Sequence, residues 1–257
     1  MVIFLSRLLI SFYLFFTPLL LASEDVGKQV RLEVVPQWYA KDKVKVYGQI
    51  SVRKEFQYSE WIRYVVKPSL AYSLGDDWSL RGGLGLLYTD NKTLENINID
   101  DRFEVRPFQG ITYNYKISNA WKLDTYARAE ERFDFNTETW DSINSLRLRL
   151  RLRAIYKFNA YRNERYYRLL CSIEGFSTLT KETHQADEKY RVSLGLERSF
   201  NNNQKGRIEV TWESKDFNYF SSTQKGSYDQ IYLRLRYYPT WGTLYNTLRE
   251  QDIGWKK

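Results

Sequence analysis

Between residues 146 and 158 the chain reads Leu-Arg-Leu-Arg-Leu-Arg-Leu-Arg-Ala-Ile-Tyr-Lys-Phe, and this run fits one kind of backbone. Successive side chains of a β-strand point to opposite faces. Leu146, Leu148, Leu150, Leu152, Ala154, Tyr156 and Phe158 therefore share one face, and Arg147, Arg149, Arg151, Arg153, Ile155 and Lys157 share the other. A helix would scatter both sets around its circumference. The same separation recurs at 43–58, where Val44, Val46, Ile50 and Val52 oppose Lys43, Lys45, Gln49 and Arg53, and again at 60–74. Further alternating runs occupy 77–89, 102–117, 120–133, 165–178, 189–200, 205–218 and 226–238. Ten strands are thus predicted over 43–238, with 28–39 as a candidate eleventh and twelve as the alternative count.

Strands of this length, separated alternately by short connections (75–77, 118–119, 201–204), with a modest one at 159–164, and long ones (90–101, 134–142, 179–188, 219–225), predict an all-β, antiparallel, up-and-down transmembrane barrel. Mean hydropathy is −0.57, and beyond residue 23 no apolar run approaches the ~18 residues of a spanning helix. A barrel strand needs only about 9–11 residues, half of them polar. Residues 1–23 differ: Arg7 precedes an almost unbroken apolar stretch from Leu8 to Leu21, followed by Ala22-Ser23, the pattern of a secretory signal peptide. The expected location is the outer membrane of a bacterium, with its lipid and the barrel assembly machinery as partners. Residues 24–42 are read as a periplasmic segment or an extra strand, and 239–257 as a C-terminal tail. In that tail Trp241, Leu244, Tyr245 and Leu248 have the spacing of a short amphipathic helix. Even-numbered barrels being the habit of single-chain bacterial examples, ten is preferred to eleven.

A soluble barrel would turn the apolar face inward. Bulky apolar residues on every strand and Tyr or Trp near strand ends (Trp61, Trp78, Trp121, Trp140, Tyr190, Tyr237) favour the apolar face outward, toward lipid. The lumen then receives Arg106, Arg128, Arg132, Arg147, Arg149, Arg151, Arg153, Arg234 and Arg236 among many bases, with Glu104, Glu130 and Glu174 as internal counter-charges. The formal charge of +8 points the same way, and a secreted chain has little occasion to meet nucleic acid. Arginines 147 to 153, about 6.5–7 Å apart along one face, form a ladder suited to passing a carboxylate or phosphate from fork to fork. The competing expectation is a structural network that fills a narrow interior.

Three segments carry a resemblance: Glu104-Val105-Arg106-Pro107-Phe108-Gln109-Gly110, Ala127-Arg128-Ala129-Glu130-Glu131-Arg132-Phe133, and the Leu-Arg repeat at 146–153. In order and spacing they resemble the family of predicted outer-membrane barrels called domain of unknown function 2490, over roughly 43–238. The resemblance implies the fold and the compartment and assigns no activity. A likeness only in kind links the basic lumen to narrow porins for acidic oligosaccharides.

Little points to covalent chemistry. Glu130 and Glu131 are adjacent on a strand and so face opposite ways, which rules out a carboxylate pair. The single histidine, His184, lies in a predicted loop beside Thr183 and Asp187 without a nucleophile motif, so an enzyme ranks third. One His and one Cys, Cys171, cannot build a transition-metal site or an internal disulfide, and no cofactor is expected. The expected function is a narrow anion-preferring channel or binding barrel for small acidic solutes, followed by a filled structural barrel with an envelope or surface role.

Overall fold

A computed structural model describes residues 26–41, 43–56, 61–91, 101–158, 166–179, 188–200, 204–218 and 225–243. Fifteen strand segments run in chain order: β1 (Gly27–Val34), β2 (Gln37–Lys41), β3 (Val44–Tyr47), β4 (Ile50–Glu55), β5 (Trp61–Val66), β6 (Ser69–Ser73), β7 (Trp78–Asn91) and β8 (Arg102–Lys116). They continue as β9 (Trp121–Asn136), β10 (Ser142–Phe158), β11 (Tyr167–Thr178), β12 (Glu188–Ser199), β13 (Lys205–Asn218), β14 (Lys225–Tyr238) and β15 (Thr240–Thr243). Four pairs of segments (β1/β2, β3/β4, β5/β6, β14/β15) are single wall strands interrupted at Val35-Pro36, Gly48-Gln49, Lys67-Pro68 and Pro239. The result is a closed wall of eleven strands, one more than predicted.

The additional strand is 27–41, the segment that the sequence leaves open as periplasmic or as an extra strand. An odd count has a geometric consequence: the first and last strands run the same way, so the barrel must close on a parallel pair. It does, with β1 beside β14 from Gly27↔Gln230 to Val34↔Tyr237, and β2 beside β15. Every other pairing in the wall is antiparallel.

The interruptions lie side by side on neighbouring strands. Proline has no N–H to give a ladder and falls at breaks; here Gly48 N donates to Pro36 O (3.0 Å), and a Cβ on Gly48 would lie 3.0 Å from the Pro36 ring. At Gly83 of β7 a Cβ would sit 2.5 Å from Pro68 O, so only glycine lets the wall fold this closely there.

Two connections differ from the sequence reading. Residues 134–136, expected in a long loop, belong to β9, and β9 joins β10 by the tight turn 137–141. In it Asn136 Oδ1 accepts from Glu138 N (2.8 Å), and Trp140 takes a left-handed φ of 60°. The tail expected from 239 begins with β15, which prolongs the last strand. The predicted signal peptide, the 244–250 part of the predicted helix, and His184 lie outside the described residues.

Polarity is inverted relative to a water-soluble domain. Among the described residues twenty-four polar or charged residues are buried against ten apolar ones, so the interior is the polar phase. Outside, Leu150 (53% exposed), Leu152 (54%) and Ile173 (59%) stand bare, as do Leu32, Val52, Val66, Leu80, Val192, Ile208, Leu233 and Leu235. Outward aromatic pairs flank this band: Trp78–Tyr113 (4.5 Å between centroids) and Trp121–Tyr156 (4.8 Å) toward one rim, Tyr64–Tyr88 (6.5 Å) toward the other. Trp61, expected in such a girdle, instead faces the lumen with Arg63 4.9 Å from its ring.

Candidate functional site: the charged lumen

The period of two carries each charge to the inner face, and strand register decides which charges meet. Arg147 stands directly opposite Glu130, and Arg153 opposite Asp124, across the β9–β10 ladder. Both pairs close as ion pairs. Arg151 is opposite Glu174 on β11, yet its closer carboxylate is Asp124 at 3.3 Å, against 4.0 Å for Glu174. Arg149 takes Glu174 at 2.5 Å. All four ladder arginines therefore hold carboxylates.

The same holds for the other five arginines singled out from the sequence. Arg106 and Arg132 (2.6 Å) share Glu104, Arg128 joins Arg147 on Glu130, Arg234 reaches Glu209 (2.5 Å) and Glu33 (3.4 Å), and Arg236 reaches Glu33 (2.5 Å). Glu213, fully buried, gathers Lys189 (2.7 Å), Arg191 and Lys215 (3.2 Å). Among the described residues nine carboxylates serve fifteen bases in this way, each typically bridging two or three. Inward aromatic rings take part as well: Phe176 has Arg147, Arg149, Lys189 and Arg191 within 5.8 Å of its centroid. A quadrupolar ring face between cations offsets part of their repulsion.

A second set of cations has no such carboxylate. Arg234 of β14, Arg31 of β1, Arg53 of β4 and Arg63 of β5 are successive cross-strand partners, forming an arc of guanidinium groups around the wall. Arg234 turns to its acids. Arg31, Arg53 and Arg63 have no carboxylate within 4 Å among the described residues. Arg31 bonds Gln29 and lies 3.4 Å from the Tyr232 ring centroid, Arg63 donates to Thr89 Oγ1 at 2.7 Å, and Arg53 Nε is buried without an acceptor. Lys67, beside the interruption at Pro68, has only the Phe108 ring among the described residues, 5.5 Å from its Nζ. None of these four bases was among the residues singled out as a candidate anion site from the sequence, and Arg31 was not placed in the lumen at all.

Two cavities run through this interior. One of about 400 Å³ lies at the rim where β5, β8, β10 and β12 begin, lined by Trp61, Arg63, Arg102, Arg106, Lys189 and Lys215 among others. The second, about 120 Å³, lies at mid-height among the ladder arginines, Lys67 and Glu174. Arg31 and Arg53 line both, as do Arg106, Arg147, Phe176 and Arg191, and this shared lining marks their junction. Among the described residues no three His, Cys, Asp or Glu side chains come together to hold a metal.

Residues 34–225 match the family described as protein of unknown function (DUF2490). The chain belongs to this family. No curated protein and no solved structure matches it. The DUF2490 match spans the wall from the end of β1 to the start of β14, and so covers Arg53, Arg63, Lys67 and the whole ladder while omitting Arg31 and Arg234.

Proposed function

We propose that this DUF2490 protein is a bacterial outer-membrane barrel whose cation-rich lumen binds or passes small anions. The observation that carries the reading is the surplus of inward cations over carboxylates inside a wall that is apolar outside. Lipid is the solvent that accommodates such a wall, because exposed leucines in water forfeit ~25 cal/mol per Å² of apolar surface. The outward aromatic pairs near both rims fit the headgroup levels. The signal-like first 23 residues supply the export route and the assembly machinery the insertion.

Inside, a low-dielectric wall focuses the field of the uncompensated bases and concentrates anions over cations. Acidic solutes entering from the wider cavity meet Arg63, then Arg53 and Arg31 at the constriction. No group in this scheme performs covalent chemistry. A second reading, a filled structural barrel, is favoured by one observation: all four ladder arginines are neutralised around a cavity of only about 120 Å³.

Reconstitution in planar bilayers separates the two. The expected result is a small, anion-selective conductance whose selectivity falls at high salt, as the screening length shrinks from about 10 Å at 0.1 M to about 3 Å at 1 M. A silent barrel that unfolds cooperatively would leave the structural reading in place.

A further inference from the structure

We infer that the arc Arg31–Arg53–Arg63 is a built binding site for a tetrahedral oxyanion of the phosphate class, seated where the two lumen cavities meet. The inference rests on the anion-binding reading and names its site and ligand chemistry.

Like charges directly opposite one another on neighbouring strands destabilise a sheet. This wall places three such contacts in a row, Arg234↔Arg31, Arg31↔Arg53 and Arg53↔Arg63, on its inner face. Elsewhere in the lumen the same crowding is relieved by shared carboxylates; Arg128 and Arg149, also opposed, hold Glu130 and Glu174. At the arc the nearby carboxylates, Glu33 for Arg53, Glu213 for Arg31, and Glu104 and Asp134 for Arg63, are all held by other bases. An exogenous anion is the missing partner.

Chemistry and size narrow it. Neighbouring strands lie about 4.8 Å apart, so guanidinium forks on three adjacent strands can converge on one small group. Planar forks match two oxygens of phosphate or sulfate in paired, parallel hydrogen bonds, an alignment that the single centre of a halide does not offer. Arg53 Nε is a buried donor without an acceptor at that spot. Lys67, on the inner side of the junction, lines the 120 Å³ cavity together with Arg53 and adds a fourth charge. Three forks and an ammonium suit a dianion better than a monocarboxylate. The roughly 400 Å³ above leaves room for the remainder of a phosphate ester.

The test is calorimetric titration of the purified full chain in nonionic detergent with inorganic phosphate, ionic strength held constant with sodium chloride. Saturable binding is expected, weakened about tenfold or more by Arg53→Gln and by Arg63→Gln. Lys54→Gln removes the same charge one residue away on the outer face and should leave the affinity unchanged. In phosphate-free buffer Arg53→Gln should melt no lower than the parent, since it removes two like-charge contacts; a merely structural arginine would melt lower. Methyl phosphate in parallel distinguishes a site for the free ion alone from one that also takes esters. No saturable phosphate binding, or binding that neither variant weakens, overturns the site. Conductance is read separately: a barrel that binds phosphate but carries no current removes the channel and keeps the arc, whereas one that conducts anions and ignores phosphate does the reverse.

Discussion

Arg147 and Glu130 are directly opposed across the β9–β10 ladder, and the carboxylate between them also holds Arg128. One acid, 2% exposed, thus compensates two guanidinium groups in the polar interior. Breaking a buried pair by removing one partner leaves a charge without compensation and costs about 3–5 kcal/mol. Glu130→Gln, which leaves two, is expected to lose at least about 3 kcal/mol of stability, read as the shift in urea midpoint of the barrel refolded in liposomes. The outward neighbour Glu131 sets the control: Glu131→Gln should leave the midpoint unchanged or raise it. Equal midpoints for the two variants would mean that water, not side chains, neutralises this part of the lumen.

The parallel seam has its own signature. Leu32 and Leu235 are register partners on the outer face of β1 and β14. With strands about 4.8 Å apart, cysteines at these positions fall in the Cα separation that a disulfide spans. In a Cys171→Ser background, Leu32→Cys with Leu235→Cys should oxidise to a cross-linked form with altered gel mobility. Val52→Cys with Leu235→Cys, the pair that a ten-stranded barrel closed by β4 would bring near, should not. Cross-linking of the second pair alone would remove 27–41 from the wall.

How much of this was written in the sequence follows from which relationships are local. Parity along a strand is local, and it assigns the inner face to Arg147 through Arg153, to Glu104, Glu130 and Glu174, and the outer face to Cys171 as the structure has them. Strand 27–41 was half legible, since Val30, Leu32 and Val34 alternate with Gln29, Arg31 and Glu33, but Val35-Pro36 interrupts the pattern and the even-count habit decided against it. The parallel closure was not legible, because nothing near residue 32 names residue 235 as its neighbour. The same blindness hid the arginine arc. A ladder along one strand shows in any reading of Leu-Arg repeats, whereas Arg31, Arg53, Arg63 and Arg234 become neighbours only once four strands are in register.

Cys171 offers a local check on register. It is exposed on the outer face of β11, between Leu169 and Ile173 of the same parity, while Ser172 and Glu174 face inward. A nitroxide attached there in lipid vesicles should collide readily with oxygen and poorly with a water-soluble nickel chelate. A nitroxide on Ser172→Cys in a Cys171→Ser background should show the lower oxygen accessibility of the crowded lumen. Reversal of the two would require β11 to be shifted by one residue, which flips every side chain on it.

The odd strand count predicts where the ends of the chain emerge. In an even barrel both ends leave by the same rim. Here β1 and β14 run parallel, so Gly27 lies at the rim where β5, β8, β10 and β12 begin, and Thr243 at the opposite rim with the connections 74–77 and 117–120. Outer-membrane barrels keep short turns in the periplasm and longer loops outside. If that habit sets the orientation, an epitope inserted just before Gly27 is exposed at the cell surface, and one placed after Thr243 is periplasmic. Intact cells should therefore bind antibody to the first epitope and not the second, and permeabilised cells should bind both. Staining of both or of neither on intact cells would put the two ends on one side of the membrane, which is incompatible with eleven strands closed by a parallel pair. Staining of the second alone would keep the eleven-stranded wall and invert it, placing the wider cavity with Arg63 and Trp61 toward the periplasm, so that anions would reach the arc from inside the cell envelope.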